Sequence, residues 1–142
     1  MSDPEPRENT PQLVDGWATA MGLEMVEMTP EQVVIEWTVD QRHRQPFGIV
    51  HGGVHCGVVE TACSIGASLQ AGPRGQTVVG IENHTSFLRA VREGRLRATA
   101  RPIQVGGRAQ LWEASIVDAE GRLVATGRLR LFCQDATGKR PG

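Results

Sequence analysis

The stretch "HGGVHCGVVETACSIGASL", residues 51–69, decides the fold of this chain. After its two leading glycines it is small or apolar on almost every side of a helix, which is typical of a helix buried all round. Glycines at positions 52, 53, 57 and 66 each cost such a helix roughly 1 kcal/mol relative to alanine. We therefore expect a buried central helix to which another backbone or a ligand comes close.

Glu60 is the only charged residue in this stretch. An unpaired buried carboxylate costs several kcal/mol in folding free energy, or it takes up a proton. One interpretation is structural: Glu60 reaches solvent or pairs with an arginine of the core. The other is functional: Glu60 is the reactive carboxylate of a site.

The beginning of the same helix has the chemistry of an anion or oxyanion site. Free N–H groups near Gly52 and Gly53 point outward at the positive end of the helix dipole. Glu60 lies about 12 Å further along the axis, so it cannot act on an oxygen held at its own helix start. The two features share a site only if the helix start comes from a second chain. The sequence thus favours a two-fold dimer with composite sites.

The remaining sequence predicts a single α+β domain around this helix. We expect a short amphipathic helix over residues 10–22, then a strand hairpin, and after the central helix an antiparallel meander of strands. The curved antiparallel sheet would cover the apolar helix. The domain is expected over residues 10–134, between a disordered lead at 1–9 and a flexible tail at 135–142. The expected strands cover residues 23–29, 32–40, 77–88, 95–105, 109–118 and 123–134.

Composition argues against several classes of function. The chain carries 15 basic and 16 acidic side chains and no tyrosine, so we expect neither nucleic acid nor a membrane surface as a partner. No apolar run approaches the roughly 18 residues of a membrane span, and the N-terminus has no secretory segment. Cys56 and Cys63 would stand about 10 Å apart on one helix, too far for a disulfide. We expect reduced thiols and a cytoplasmic protein.

The segment "QPFGIVHGG", residues 45–53, followed by "VHCGVVETACS", residues 54–64, resembles the hotdog-fold acyl-CoA thioesterases. The likeness is to the PaaI-like and Arthrobacter-type 4-hydroxybenzoyl-CoA thioesterase branch, and it extends over residues 10–134. It implies a hotdog fold, in which a curved antiparallel sheet wraps around one central apolar helix. It also implies hydrolysis of an acyl-CoA or aryl-CoA thioester without cofactor or metal, by a homodimer that assembles further into a homotetramer.

The same resemblance implies a role for each residue of the motif. The Gly52 N–H polarises the thioester carbonyl, which Gln45 and His51 orient. Glu60 of the neighbouring subunit attacks as the nucleophile or activates water as the general base. Ser64, one turn after Glu60 and on the same face, positions the water or the carboxylate.

Four further residues are expected to contact the substrate: Gly53, His84, Phe87 and Arg89. Some relatives carry a histidine near positions 87 and 88, whereas this chain has His84 three residues earlier. A change of register there would turn the His84 side chain to the other face of the sheet. Arg89 is the candidate for a phosphate of coenzyme A, because arginine suits phosphate. Most of the arginines that alternate along the next strand are expected on a solvated sheet face: Arg95, Arg97 and Arg101.

Two other kinds of site were weighed and are not expected. His51 and His55 are four residues apart, a spacing that suits metal ligands on a helix, but no H-E-x-x-H motif and no third ligand accompany them. We expect His55 to line an interface or a pocket instead. Cys56 and Cys63 have no base beside them in the sequence and are expected to fill the core.

Two other functions stay open from the sequence. One is a hotdog hydratase or dehydratase that uses His51 and Glu60 for proton transfer, although the Asp…His hydratase signature is absent. The other is a non-catalytic acyl-CoA sensor, although the nine leading residues leave no room for a DNA-binding segment.

Overall fold

The computed structural model describes residue 14 and residues 16–136 of the chain. Within that part, one long helix packs against a six-stranded antiparallel sheet, as the hotdog fold requires. The predicted lead at 1–9, the start of the predicted first helix and most of the predicted tail lie outside the described residues. In chain order the elements are α1 (Trp17–Ala20), β1 (Glu24–Met28), β2 (Val33–Val39), α2 (Gly52–Ala71), β3 (Gln76–Phe87), β4 (Gly94–Val105), β5 (Ala109–Asp118) and β6 (Leu123–Asp135).

The strand order in the sheet is β1-β2-β4-β5-β6-β3, and every neighbouring pair is antiparallel. The strands β4 to β6 form a meander, but β3 pairs with β6, so the expected continuous meander from β3 onward is wrong. The reason lies in the link between β3 and β4. It passes the beginning of α2, where Val50 donates its N–H to Val91 O at 2.8 Å, instead of turning back as a tight hairpin.

The concave side of the sheet and one side of α2 form the core. Trp37 of β2 and Trp112 of β5 are fully buried there, together with Val58 and Ala62 of α2. The ring of Trp112 lies against Gly66, where a Cβ atom would come within 2.4 Å of it. A close approach to a glycine of the helix is therefore present, but an aromatic side chain makes it, not the expected backbone or ligand.

The other side of α2 is not covered by the sheet. Glu60 is exposed there, and its neighbours on that side, Gly57, Thr61, Ser64 and Ser68, are only partly buried. The expectation of a helix buried all round, with Glu60 inside, is wrong for the single chain. Six strands wrap only one side of α2, so its row of small residues lies on the surface.

The edge strand β3 is unusually apolar for a surface strand. It pairs on one side with β6 and has no neighbour on its other side within the described residues. Val79, Ile81 and Phe87 are 44%, 58% and 55% exposed. A long edge with unpaired backbone groups and apolar side chains is a template for pairing with another strand.

The face of the sheet that points away from α2 carries partly or fully exposed charged side chains on β2 and β4, as the alternating arginines predict. Arg95 forms ion pairs with Glu24 and Glu36, and Arg97 pairs with Glu36 at 3.3 Å. Such exposed pairs contribute little to stability, because solvent and salt screen the two charges. No helix of the described residues is both long enough and apolar enough to cross a membrane.

The contact between Trp112 and Gly66 yields a prediction about stability. In Gly66→Ala the new Cβ meets a fully buried ring, so we expect the free energy of unfolding to fall by about 1–3 kcal/mol. The control is Gly107→Ala in the turn between β4 and β5, where no atom of the described residues lies within 4 Å of the new Cβ. There we expect no loss, or a gain of up to about 1 kcal/mol. Urea unfolding of both variants measures the difference, and equal effects would contradict the packing described here.

Candidate active site

The first turn of α2 has one capped and one free amide. His51 is the N-cap residue, and its Nδ1 accepts a hydrogen bond of 2.7 Å from the N–H of Gly53. The neutral ring of His51 therefore carries its hydrogen on Nε2. The Gly52 N–H meets no acceptor within the described residues. Of the two glycines expected in the site, Gly52 offers its N–H to a ligand, whereas the N–H of Gly53 is already bonded.

Gln45 lies in the loop that leads into α2. Its backbone N–H donates to Ile49 O at 2.8 Å, and its side-chain Oε1 accepts the N–H of Phe47. The Nε2 group of the side chain has no partner in the described part of the chain. The loop thus holds the amide of Gln45 in place and leaves its two N–H donors available.

The ring of Phe87, at the end of β3, lies over the beginning of α2. A Cβ atom on Gly52 would come within 2.5 Å of this ring, so only glycine fits there without displacing Phe87. His55, one turn further along α2, is tilted against the same ring with centroids 6.1 Å apart. Folding thus brings Phe87 to the helix start, where the sequence places it by resemblance alone.

His55 is a buried, neutral histidine beneath Phe87. It is 3% exposed, and its Nδ1 has no hydrogen-bond partner in the part of the chain that the structure describes. Burial lowers the pKa of His55 from 6.5 to about 4, because desolvation disfavours the charged ring. This side chain is uncharged at neutral pH and forms part of the apolar support under the site.

Glu60 lies on the open side of α2 and reaches across to β3. Its Oε1 is 2.9 Å from the point that a Cβ atom on Gly80 would occupy. Gly80 stands where the pairing of β3 with β6 shifts at a β-bulge, which includes Ile81. Glu60 has no hydrogen bond or ion pair within the described residues. Sequence reasoning missed Gly80, although a glycine inside a strand pattern is a signal for close approach.

Ser64 follows Glu60 by one turn on the same face, as expected, and a groove runs along this face. The groove has a volume of about 260 Å³ and lies between α2 and α1. Its lining residues are Trp17, Ala18, Glu60, Thr61, Ser64, Ile65 and Ser68.

The bulge at Ile81 determines which residues of β3 face α2. Before it, Gly80 faces the helix; after it, Asn83 does, and the Nδ2 of Asn83 donates to Cys56 O at 2.9 Å. His84 is exposed on the opposite face of the sheet, across from Arg128. The structure therefore does not bring His84 to the site of its own chain.

Arg89 is exposed just after β3, and its backbone N–H donates to Val124 O at 3.1 Å. Its neighbour Arg92 is the arginine that reaches the loop before α2, where its Nη1 donates to Phe47 O at 2.9 Å. Both arginines line a cavity of about 400 Å³ between the β3–β4 link and the β5–β6 turn.

The cysteines and histidines form neither a nucleophile pair nor a metal centre in the described residues. Cys63 is buried. Desolvation, and to a smaller extent the negative charge of Glu113, raises the pKa of its thiol well above the usual range. Cys56 is partly buried, and all three cysteines are unpaired. No group of three metal-ligating side chains comes together within residues 16–136.

Comparison with known proteins identifies the family. Residues 47–125 match the family model described as 4HBT, thioesterase superfamily. The 1,4-dihydroxy-2-naphthoyl-CoA hydrolase of Escherichia coli (strain K12) is 40% identical over 91 residues, which cover 64% of this chain and 66% of that protein. Proofreading thioesterase EntH of Cronobacter turicensis is 37% identical over 109 residues, 77% of this chain and 79% of that protein. The crystal structure of thioesterase HI1161 from Haemophilus influenzae has a TM-score of 0.81 and 34% identity, covering 86% of this chain and 85% of that one.

The chain belongs to the thioesterase superfamily. It has the hotdog fold of these relatives, with one central helix against an open antiparallel sheet. By class it is a thioester hydrolase.

Burial of His55 predicts a pH dependence of stability. Between pH 6.5 and about 4 the unfolded chain binds a proton on this side chain and the folded chain does not. The free energy of unfolding should therefore fall as the pH drops through this window, by at most about 3 kcal/mol in total. Urea unfolding at several pH values measures it. The variant His55→Leu should lose this part of the slope, and an unchanged slope would contradict a neutral buried ring.

Proposed function

We propose that this protein hydrolyses the thioester of an acyl-CoA, with the Gly52 N–H of one protomer and the Glu60 carboxylate of another acting on the same carbonyl. The observation that carries the proposal is the pair of unused groups on α2. Among the described residues the Gly52 N–H has no acceptor at the positive end of the helix, and the carboxylate of Glu60 has no partner on its open side. An oxyanion needs the first group, and attack on a carbonyl needs the second.

The two groups require two chains. Eight residues of helix hold them about 12 Å apart along the axis, and one carbonyl cannot span that distance. The apolar, unpaired edge of β3 supports a dimer, because Gly80 and Phe87 of this strand lie beside Glu60 and Gly52. A second copy that pairs along this edge would come close to both halves of the site. The homotetramer rests on the resemblance alone and is proposed on that basis.

Two routes of hydrolysis are consistent with this geometry. In the first, a Glu60 oxygen bonds to the carbonyl carbon, the C–S bond breaks, and coenzyme A leaves as a thiolate that takes a proton from solvent. Water then hydrolyses the mixed anhydride and restores the carboxylate. In the second, Glu60 accepts a proton from water as the water oxygen bonds to the carbonyl carbon; the C–S bond then breaks, and the proton passes from Glu60 to the leaving thiolate. Both routes yield a free acid and coenzyme A from one thioester and one water.

The other residues of the motif act as donors around the carbonyl. The Nε2–H of His51 and the free amide of Gln45 belong to the segment that leads into Gly52, and we assign both to orienting the substrate oxygen. Ser64 is assigned to positioning the water or the carboxylate, and Phe87 to the apolar wall at the helix start. Arg89 remains the candidate for a phosphate of coenzyme A, at the cavity that it lines together with Arg92.

The chemistry needs neither a cofactor nor a metal, and we propose none. The names of two relatives describe related reactions: one is a hydrolase of a CoA thioester, and the other is a proofreading thioesterase. Three unpaired thiols support a reducing compartment, and we propose the cytoplasm.

Loss of the carboxylate should abolish turnover. We expect Glu60→Gln to lower kcat for thiol release from acyl-CoA by two or more orders of magnitude, since it removes a principal catalytic group without changing side-chain size. The control is Glu113→Gln, on the exposed outer face of the sheet, which should keep wild-type turnover. Release of free thiol over a panel of acyl-CoAs is the readout. Binding without release by the wild type would favour a sensor, and loss of enoyl absorbance without thiol would favour a hydratase.

Composite sites predict a distinctive pattern in mixed dimers. One chain carries Glu60→Gln, and the other carries Gln45→Ala with His51→Asn, where asparagine preserves the helix cap. Purified heterodimers of these two chains contain one intact site and should have about half of the wild-type activity.

The matched control heterodimer pairs a wild-type chain with a chain that carries all three substitutions. Composite sites leave it inactive, because each of its sites then has one damaged half. If instead each site lay within one chain, this control would keep half of the activity and the first heterodimer would have none. Thiol release by the two heterodimers therefore decides between the two arrangements.

A further inference from the structure

Asn83 joins the middle of β3 to the turn of α2 that carries Glu60, and it has no part in the hydrolysis as proposed. Its Nδ2 donates to the carbonyl oxygen of Cys56 at 2.9 Å. In an α-helix this carbonyl also accepts the N–H of the residue four positions later, which is Glu60. Asn83 therefore holds the first carbonyl of the helical turn that ends at the carboxylate.

Thr85 determines which way the amide of Asn83 points. The Thr85 hydroxyl donates to Oδ1 of Asn83 at 2.7 Å, so the Oδ1 end is occupied and the Nδ2 end turns to α2. Gly127 of β6 leaves room for this hydroxyl, because a Cβ atom there would come within 2.4 Å of Thr85 Oγ1. A series of contacts thus runs from β6 through Thr85 and Asn83 to the backbone of the helix.

The β-bulge in β3 brings two of its residues against the same turn of α2. In a regular strand, Gly80 and Asn83 would point to opposite faces of the sheet, because side chains alternate along a strand. The register shift between Gly80 and Glu82 adds one residue, so both Gly80 and Asn83 face α2. Bulges commonly redirect side chains in this way beside active sites.

Both ends of the Glu60 turn are therefore in contact with one strand. The backbone N–H of Glu60 shares the Cys56 carbonyl with Asn83, and its Oε1 lies 2.9 Å from the Cβ position of Gly80. Because β3 has no neighbour on its other side within the described residues, the two contacts hold the carboxylate beside the open edge of the sheet.

A second hydrogen bond from the sheet to α2 shows what a purely structural contact looks like. Gln110 of β5 donates to Ala67 O at 3.2 Å, but it is 2% exposed and also accepts the N–H of Trp112 at 2.8 Å. Its acceptor lies seven residues beyond Glu60, in the core. Asn83 is exposed in the single chain, and its acceptor lies inside the Glu60 turn.

We propose that Asn83 is a positioning residue for Glu60, because it anchors the Cys56 carbonyl to β3 and so sets where the carboxylate stands relative to the thioester carbonyl. It touches neither the substrate nor the reacting atoms and acts through the helical turn. This inference rests on the proposed function, since it takes Glu60 as the reactive carboxylate. A displacement of about 1 Å in a reacting group can lower the rate roughly a hundredfold.

Asn83→Leu is the first test, because it keeps the size of the side chain and removes its donor and its acceptor. The substrate is the acyl-CoA that the wild type hydrolyses fastest. We expect kcat for thiol release to fall about tenfold. KM should change by less than about twofold, because the variant loses no contact with the substrate.

Thr85 offers a matched pair of variants. Thr85→Val keeps the shape of the side chain but removes the donor that orients the amide of Asn83, and it should lower kcat about threefold. Thr85→Ser retains the hydroxyl and should keep the wild-type kcat. Ser115→Ala is the control, because it also removes a hydroxyl that lies 3.5 Å from another, Thr126 Oγ1, but on the outer face of the sheet. It should change neither kcat nor KM.

A double-mutant cycle separates positioning from a loss of folded protein. In the Glu60→Gln background, Asn83→Leu should leave the residual rate of thiol release unchanged within about twofold, because the group that Asn83 positions is already gone. A variant that acted by unfolding part of the preparation would lower this residual rate by the same factor as it lowers the wild-type rate.

The outcomes separate this inference from the proposed function. An unchanged kcat in Asn83→Leu, an equal loss in both backgrounds, or a rise in KM as large as the fall in kcat would overturn the positioning role and leave the hydrolase intact. If the wild type releases no thiol from any acyl-CoA, the proposed function fails, and the role of Asn83 fails with it.

Discussion

The rigidity of α2 is the constraint on which the rest of the site depends. A helix rises about 1.5 Å per residue, so its first free amide and its one carboxylate stay at a fixed separation however the side chains move. Packing against the sheet makes the helix stiffer still, because its inner side is fully buried. On the proposed function, each chain therefore supplies the oxyanion half of one site and the carboxylate half of another. Association, rather than the folding of one chain, completes the chemistry.

Glycines of α2 let three other elements approach this rigid helix. At three of these glycines an aromatic ring lies within 2.7 Å of the position that a Cβ atom would occupy. The helix loses propensity at every such glycine and gains close packing against a ring. The first of these contacts lies in the core, the second covers the helix start, and the third forms one side of the groove beside Glu60. The pairs are Gly66 with Trp112 of β5, Gly52 with Phe87 of β3, and Gly57 with Trp17 of α1.

Hydrogen bonding distinguishes the histidines more clearly than sequence position does. His43 is fully buried with both ring nitrogens bonded, so its role is to join the end of α1 to the loop before α2. His51 caps the helix through Nδ1 and keeps Nε2–H available beside Gly52. His55 is buried, its Nδ1 has no partner among the residues that the structure describes, and burial lowers its pKa to about 4. His84 lies exposed on the far face of the sheet. The four histidines thus have four roles: His43 links two segments, His51 caps a helix, His55 fills apolar space, and His84 lies on the surface.

The sequence by itself determined the α+β class, the extent of α2 and the approximate bounds of all six strands, because periodicity and turn residues act over a few residues. It also determined that Gly52 and Glu60 could not serve one carbonyl from one chain, since helix rise is the same in every protein. Only the tertiary structure decided that β3 joins β6, that Glu60 is exposed above Gly80, and that the bulge at Ile81 turns His84 away from α2. These outcomes depend on which distant strands pair and on a shift of one residue in register, and no local pattern encodes either.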